Sequence, residues 1–250
     1  MEKKPLLISG LHNEVHPSWN RFLTSERMDL LASFEGAPGI ENYTPGIERI
    51  LHFLTLPLNK AQVIILGQDP YPQLGVATGR AFEVGTLYDW NQKFSNISLK
   101  NIIRLLYKTY TGETRKYKEV MAEVPLFFNI LPPNLLFKHW EAQGVLLLNT
   151  SFTCEPGAPG SHKSFWAPFT QQLLEYINEE RPELYWFLWG NHAEEVTRDI
   201  KLRNAFRTFH PMMCYNREDR ELDFLYGKIN PFNELKGLID WTGYTSVSTY

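Results

Sequence analysis

The chain has 250 residues, of which 43% are hydrophobic and 14% aromatic, and this length and composition fit one α/β domain with a full hydrophobic core. No segment approaches the ~20 consecutive apolar residues of a membrane span, and the two cysteines, Cys154 and Cys214, lack the CxxC spacing of an iron–sulfur cluster or a structural zinc site. A formal net charge of −3 provides no overall basic surface for nucleic acid, although a local basic patch is compatible with it.

The first residues, Met1–Pro5, lack the apolar core of a signal peptide, so we expect a cytoplasmic location, or a nuclear one in a eukaryote. Apolar positions between residues 19 and 34 predict helical packing. Pro45 is expected to open a second helix that ends before Pro57. The apolar face of that helix would consist of Ile47, Ile50, Leu51 and Leu54.

An apolar run from Val63 to Leu66 predicts a strand that is buried on both faces of a parallel sheet. Gly67 and Pro70 then turn the chain, and an amide, Gln68, and a carboxylate, Asp69, lie between them. Ligands of open α/β sheets bind at the carboxyl ends of the strands, so we expect a functional site here. An Asp-Pro turn without a function is the alternative.

A loop rich in small residues spans residues 75–82 and ends in Phe82, which is typical of a binding loop with sharp backbone turns. Ser98 is expected to cap the next helix. The apolar stripe of that helix, at i, i+3, i+4 and i+7, consists of Leu99, Ile102, Ile103 and Leu106. Residues 108–133 have mixed charge and broken periodicity, so we predict a surface insertion within a single domain of residues 1–250.

Three further strands are predicted, and each ends in a polar or turn-forming residue. The runs are Val145–Leu148, Leu184–Trp189 and Phe206–Phe209, followed by Asn149, by Gly190 with Asn191, and by His210. Asn191 is expected to cap the helix after the third strand. Strands that alternate with helices predict a parallel sheet between two helical layers, which would bring these polar ends and Asp69 to one edge. Taken singly, each residue has an ordinary structural explanation, such as a turn, a cap or a buried histidine.

Several motifs, spread from about residue 19 to residue 241, belong together. They are Gly67–Pro72, which reads Gly-Gln-Asp-Pro-Tyr-Pro, Phe82, Gly144–Asn149, Ser161–Lys163, Leu188–Gly190, His210-Pro211 and Ile239–Trp241. In identity and spacing this set resembles the family 1 uracil-DNA glycosylases. The resemblance implies an α/β fold, a three-layer αβα sandwich with a four-stranded parallel sheet. It also implies hydrolysis of the N-glycosidic bond of uracil in DNA after base flipping, in DNA repair, with no metal or organic cofactor.

The resemblance also implies roles for individual residues. Asp69 and His210 would be catalytic, the first stabilising the sugar cation and orienting water, the second donating a hydrogen bond to uracil O2 as a neutral imidazole. The residues implied to bind the base are Gln68, Tyr71, Phe82 and Asn149. Phe82 would stack on the base, Asn149 would recognise its O4 and N3–H, and Tyr71 would exclude the methyl group of thymine.

Further members of the set are implied to contact DNA, with short side chains and backbone N–H groups on the phosphates. They are Ser98, Gly190, Asn191, Pro211, Met212, Met213 and Cys214. The expected partners are single- and double-stranded DNA that contains uracil and, by the same resemblance, proteinaceous glycosylase inhibitors. A monomer without membrane association is expected.

Three departures from the family pattern leave alternatives open. Pro72 replaces the usual histidine, the segment 93–97 lacks the expected prolines, and Cys214 stands where a leucine wedge is expected. The first hypothesis is an active uracil-DNA glycosylase. A second is a catalytically weak DNA-binding or assembly module with this fold. A third, a glycosylase with a changed base preference, is disfavoured by the presence of Tyr71 and Asn149.

Overall fold

Four parallel strands form the central sheet of the structure, a computed structural model that describes residues 14–35, 37 and 42–244. The strands are β1 (Val63–Gly67), β2 (Val145–Asn149), β3 (Tyr185–Trp189) and β4 (Asn204–Thr208), in the order β2-β1-β3-β4. Gly67 lies opposite Asn149, and Trp189 lies opposite Thr208. The carboxyl ends of the strands therefore lie along one edge of the sheet, as the alternation of strands and helices predicts.

The described residues also form seven α-helices. They are α1 (Ser25–Glu35), α2 (Ile97–Thr111), α3 (Tyr117–Glu123), α4 (Pro133–Ala142), α5 (Lys163–Glu180), α6 (Asn191–Val196) and α7 (Pro231–Glu234). Short 3₁₀ turns lie at Pro17–Trp19, Ile47–Arg49, His52–Thr55 and Leu58–Lys60. Within these ranges no helix combines the length and the apolar character that crossing a bilayer requires.

Alternate residues of β1 pack into two different hydrophobic clusters, and these clusters define the layers. Val63 and Ile65 pack with side chains of α2, α3, α4 and α7, whereas Ile64 and Leu66 pack with side chains of α1 and α5. Every residue of β1 is buried, which explains why its sequence is continuously apolar rather than alternating. The predicted three-layer αβα sandwich is confirmed.

The single helix predicted after Pro45 is wrong. Two 3₁₀ turns, Ile47–Arg49 and His52–Thr55, occupy the segment instead. Leu51 lies between them with φ −111° and ψ 38°, outside the helical region, so it interrupts the i to i+4 hydrogen bonding. Most apolar residues of the segment are nevertheless buried, namely Ile50, Leu51, Phe53 and Leu54, whereas Ile47 is only partly buried. The pattern therefore predicted burial correctly and helix type incorrectly.

The prediction that residues 108–133 form a surface insertion is wrong in part. Helix α2 continues to Thr111, where Gly112 ends it in a left-handed conformation with φ 79°. Beyond it, α3 and the following loop contribute four buried side chains to the core, Val120, Met121, Phe128 and Ile130. Leu126 and Phe127 in that loop are exposed, at 77% and 80%. The broken periodicity reflects a short helix and a loop that both pack on the sheet.

Two predicted helix caps are also wrong. Helix α2 already begins at Ile97, so Ser98 lies inside its first turn and Asn96 occupies the cap position. Likewise, Gly190 is the cap of α6 and Asn191 is its first helical residue. The fourth strand also begins earlier than predicted, since β4 is Asn204–Thr208. Boundaries of this kind are set by backbone hydrogen bonding, which single residue types indicate only approximately.

Candidate active site

Backbone hydrogen bonds join the end of β1 to β2 and the end of β3 to β4, and the loops that follow the four strands form a common rim. The Thr150 N–H donates to the Gly67 carbonyl over 3.1 Å, and the Gly190 N–H donates to the Thr208 carbonyl over 2.8 Å. Residues that are far apart in sequence are held side by side by these bonds. The rim carries Asp69, Asn149, Gly190, Asn191 and His210, as predicted from the strand order.

Asn149 ends β2 with its side chain folded over Gly67 of β1. A Cβ atom at position 67 would lie 2.3 Å from Asn149 Oδ1 and 2.9 Å from the Cβ of Ala81, so only glycine leaves room for the amide. Asn149 is 6% exposed, and its amide makes no hydrogen bond to the residues that the structure describes. Its amide oxygen and nitrogen nevertheless keep some access to solvent, so both can bond a ligand at the rim. Asn149 is therefore placed to recognise a polar edge.

Asp69 follows β1, and its Oδ1 is buried without a hydrogen-bond donor in the described part of the chain. Burial raises the pKa of this carboxyl, and the Ser151 hydroxyl, the Gly160 N–H and the positive charges of Lys163 and His162 limit the rise because they favour the ionised form. The carboxylate therefore has neighbours that favour its ionised form, while its buried Oδ1 has no partner in the described part of the chain. Such a group can orient a water molecule or stabilise a nearby positive charge.

Phe82 has φ 66°, a left-handed conformation that aromatic residues rarely adopt. Its ring lies 5.2 Å from the Trp189 ring and 6.3 Å from the His210 ring, centroid to centroid. The Tyr71 hydroxyl donates to the Phe82 carbonyl over 3.4 Å, and burial raises the pKa of Tyr71 to about 12, with the side chain of Asn96 acting in the opposite direction. Backbone strain in a bulky residue is typical of functional sites, and here it turns an aromatic ring toward the rim.

His210 follows β4, and its protonation state follows from its surroundings. Burial lowers the pKa of the imidazole, so the ring stays neutral at pH values below the ordinary histidine pKa. Its Nδ1 lies 3.2 Å from the Met212 N–H, which donates to it. Nδ1 is therefore the acceptor, and the proton of the neutral ring is assigned to Nε2. This leaves one N–H donor on the imidazole for a ligand.

The loop after His210 has an apolar exposed tip. Met212 and Met213 are 53% and 47% exposed, whereas Cys214 is turned inward and its thiol donates to the Pro211 carbonyl over 3.2 Å. The same carbonyl accepts a 2.6 Å hydrogen bond from the Asn101 amide of α2. The predicted position of a wedge at Cys214 is therefore not supported by its orientation, and the exposed thioethers are the apolar side chains that a ligand would meet.

The remaining predicted residues lie around the same rim. Gln68 is exposed, and its carbonyl accepts from the Ser151 N–H over 2.9 Å and from the Thr150 hydroxyl over 3.1 Å. Ser98 is half-buried in the first turn of α2, and Asn191 is exposed at the start of α6. Sequence reasoning missed Thr150 and Ser151, although the polar run that begins at Asn149 was a visible signal. No group of three or more His, Cys, Asp or Glu residues within the described ranges is arranged to hold a metal ion.

Comparison with known proteins agrees with this geometry. A family model described as the uracil DNA glycosylase superfamily matches residues 55–230. The chain belongs to this superfamily. The uracil-DNA glycosylase of Pseudomonas aeruginosa (strain UCBPP-PA14) is 31% identical over 242 residues, which are 92% of this chain and 95% of that protein.

Two solved structures have the same fold. The UNG crystal structure from Nitratifractor salsuginis superposes with a TM-score of 0.65 at 25% identity and covers 83% of this chain and 88% of that one. A mimivirus UNG variant in complex with UGI superposes with a TM-score of 0.62 at 26% identity and covers 83% of this chain and 73% of that one.

Among the positions that differ from the motifs of uracil-DNA glycosylases, Pro72 lies nearest in sequence to Asp69. Its carbonyl accepts a 2.9 Å hydrogen bond from the Gly157 N–H, while proline supplies neither a side-chain donor nor a backbone N–H. Pro72 therefore holds the loop that follows β2 but donates nothing to a ligand. Ser151 and Gly160 nevertheless favour the ionised form of Asp69, because both act to lower the pKa of its carboxyl.

Proposed function

We propose that this protein removes uracil from DNA by hydrolysing the N-glycosidic bond, with Asp69, Asn149 and His210 as the central residues. The protein is a DNA-repair glycosylase by its relatives, and the observation that supports these roles is the placement of three chemically distinct groups on one rim. They are a partly desolvated carboxylate, an amide without a partner and a neutral imidazole with its proton on Nε2.

Binding begins with the flipped base, since uracil inside a duplex is not accessible to these groups. Phe82 offers a ring face, and stacking a base on an aromatic ring contributes ~1–3 kcal/mol. The Asn149 amide accepts from uracil N3–H and donates to O4, whereas cytosine presents the reversed pattern of donor and acceptor. Tyr71 closes the side of the base where thymine carries its methyl group. Discrimination therefore rests on hydrogen bonding against cytosine and on a clash against thymine.

Cleavage of the glycosidic bond places positive charge on the deoxyribose and negative charge on the departing uracil. The Asp69 carboxylate stabilises the sugar cation and orients the water that attacks C1′, roles that carboxylates also take in glycoside hydrolysis. The His210 Nε2–H donates to uracil O2 as its negative charge develops. A neutral imidazole keeps its Nε2 proton as it donates, so uracil departs as an anion that the hydrogen bond stabilises.

A direct assay tests the proposal. The protein is incubated with a single-stranded oligonucleotide that contains one deoxyuridine, and alkali then cleaves any abasic site. We expect cleavage at the uracil position and none with a matched thymidine oligonucleotide. Binding of the oligonucleotide without any alkali-sensitive product would support a DNA-binding module instead, and would overturn the proposed activity.

Asn149→Asp is expected to extend the activity to cytosine. A protonated carboxyl at this position donates to cytosine N3 and accepts from the exocyclic amine, so the pattern of Asn149 is reversed. We expect slow release of cytosine from single-stranded DNA, measured as alkali-sensitive sites at deoxycytidine, together with a loss of uracil excision. The control is Asn129→Asp, at an exposed position of the loop after α3, which should leave both rates unchanged. Unaltered base selectivity in Asn149→Asp would remove Asn149 from the base pocket.

Both duplex and single-stranded uracil DNA are proposed substrates. Met213→Ala is expected to lower the activity on duplex DNA more than the activity on single strands. If Met213 fills the gap left by the flipped base, its truncation should lower kcat/KM on duplex DNA by about tenfold and change it little on single strands, since less apolar area is buried in the duplex. Cys214→Ala is the matched control, because its thiol is turned toward the Pro211 carbonyl. A duplex-to-single-strand ratio that stays constant in Met213→Ala would show that another residue acts as the wedge.

Proteinaceous inhibitors are a further proposed class of partner, supported by the mimivirus UNG variant that was solved with UGI. The rim that would bind DNA is also the surface that such an inhibitor would cover. Its exposed methionines offer an apolar anchor of the kind found at protein interfaces. Inhibition of uracil release by purified UGI is the corresponding measurement, and undiminished activity at saturating UGI would exclude this partner.

A further inference from the structure

A cluster of charged side chains lies buried beside the loop that carries Phe82. Arg80 contacts Glu141 through Nε and Oε2 at 2.6 Å and Glu83 through Nη1 and Oε2 at 3.1 Å. The side chains of Arg80, Glu83 and Glu141 are only 13%, 5% and 6% exposed. His52 adds a contact of 3.0 Å from its Nε2 to Glu141 Oε1.

Stability alone is a weak explanation for this cluster. Burying ions removes their hydration, and well-packed apolar residues of similar volume often serve stability as well as a buried ion pair does. A buried charge network is better suited to fixing one conformation, because each charge has to find its partner in one geometry. The cluster therefore fixes a particular conformation of the loop beside it.

The ion pair between Arg80 and Glu83 spans Ala81 and Phe82, the latter at φ 66°. The backbone inside this span is attached to the sheet, because the Ala81 N–H donates to the Leu147 carbonyl of β2 over 3.1 Å. The Arg80–Glu83 pair therefore closes a tight turn around the one residue of the described chain, glycine apart, that has a positive φ. It opposes the relaxation of that residue to an extended conformation.

The second carboxylate fixes the turn to the scaffold. Glu141 lies in the last turn of α4, just before β2, so its contact with Arg80 joins the loop to an element of the sandwich. The loop backbone also lies close to the preceding segment: a Cβ atom on Gly79 would lie 2.3 Å from the Arg49 carbonyl oxygen. Both ends of the turn are thus held, and the Phe82 ring is held with them beside Trp189 and His210.

We propose that Arg80, Glu83 and Glu141 are positioning residues that hold the Phe82 ring in place for the flipped base. This inference rests on the proposed function, since it assigns the three residues a role in that reaction through Phe82 alone. None of them touches the base. Substitution of Arg80 or Glu83 should therefore lower the rate of uracil release only while the Phe82 ring is present.

The experiment is a double-mutant cycle between Glu83→Ala and Phe82→Ala, with kcat/KM for uracil release as the readout. Glu83→Ala opens the turn but leaves Arg80 paired with Glu141, so no buried charge loses its last partner. In the wild-type background we expect a loss of about tenfold, and in the Phe82→Ala background a loss of less than about twofold, because residues that act together are not additive. A purely structural role would give equal losses in both backgrounds, and that result would overturn the inference.

A second variant and a measurement of amide hydrogen exchange test the same proposal independently. Arg80→Lys retains the charge but loses the planar fork that contacts two carboxylates at once, so it should show the same dependence on Phe82. Amide hydrogen exchange of the peptide spanning residues 76–87 should accelerate in both variants while the β1 peptide is unchanged, which reports on the turn without any activity. Unchanged exchange and unchanged kcat/KM in both variants would refute the proposal that Arg80, Glu83 and Glu141 position the Phe82 ring. Absence of uracil release from the wild-type protein would instead refute the proposed function and leave the exchange result valid.

Discussion

Asp69→Asn should lower kcat for uracil release by about 10³-fold, the scale of a lost general acid–base group. Asparagine has nearly the same shape but carries no charge, so it neither stabilises the sugar cation nor accepts a proton from water. The dissociation constant for uracil-containing DNA should change by no more than about twofold, because the carboxylate acts on charge that exists only in the transition state. Asp29→Asn, at an exposed position of α1, is the matched control and should be indistinguishable from wild type.

The pH dependence of the wild-type enzyme provides a second check on Asp69. Burial raises the pKa of its carboxyl, so the active ionised form is lost at a higher pH than for an ordinary aspartate as the solution is acidified. Burial lowers the pKa of His210, so this ring stays neutral at pH values below the ordinary histidine pKa. The acid limb of kcat/KM should therefore have its midpoint above the ordinary aspartate value of ~3.9. A midpoint at or below that value would contradict the raised pKa of the Asp69 carboxyl.

A comparable loss of DNA affinity in Asp69→Asn would mean that the carboxylate shapes the binding surface instead of the reaction. Binding is best measured with an oligonucleotide that carries a non-hydrolysable 2′-fluoro-deoxyuridine, so that turnover does not interfere. Unchanged turnover in Asp69→Asn would place the catalytic carboxylate elsewhere on the rim.

The sheet was predictable because strands buried on both faces require continuous apolar runs, and such runs were visible at β1, β2 and β3. Their shared edge followed from the parallel connections. The segment after Pro45 was not predictable in the same way, because 3₁₀ turns and α-helices can bury similar apolar positions. Periodicity over one short segment does not distinguish them.

Several features of the site have no signal in the linear sequence. The contact between Arg80 and Glu141 joins residues about sixty positions apart, and neither residue type alone indicates a buried partner. The positive φ of Phe82 is equally invisible, since phenylalanine does not favour that conformation. The inward turn of the Cys214 thiol depends on the path of its loop. Motif spacing located the rim, but tertiary contacts decide how its side chains are oriented.

The second large effect is expected at His210, where two substitutions separate the roles of the two ring nitrogens. Asparagine places its side-chain oxygen near the position of Nδ1 and can still accept from the Met212 N–H, but nothing reaches the position of Nε2. Glutamine extends an N–H donor toward the position of Nε2 and gives up the bond to Met212. The structure assigns acceptance to Nδ1 and donation to Nε2, so the two variants should differ in a defined direction.

We expect His210→Asn to lose about 10²- to 10³-fold in kcat, the magnitude of a missing oxyanion donor, with the affinity for 2′-fluoro-deoxyuridine DNA nearly unchanged. His210→Gln should retain more of kcat than His210→Asn, but should bind duplex DNA more weakly because the loop that carries Met212 and Met213 loses its tie to the ring. The comparison needs kcat and the dissociation constant for both variants on the same oligonucleotides. The opposite ranking, with asparagine the more active variant, would show that the bond to Met212 matters more than the donor at Nε2. In that case the imidazole would act by shaping the loop, and the negative charge of the departing uracil would be stabilised by other donors on the rim.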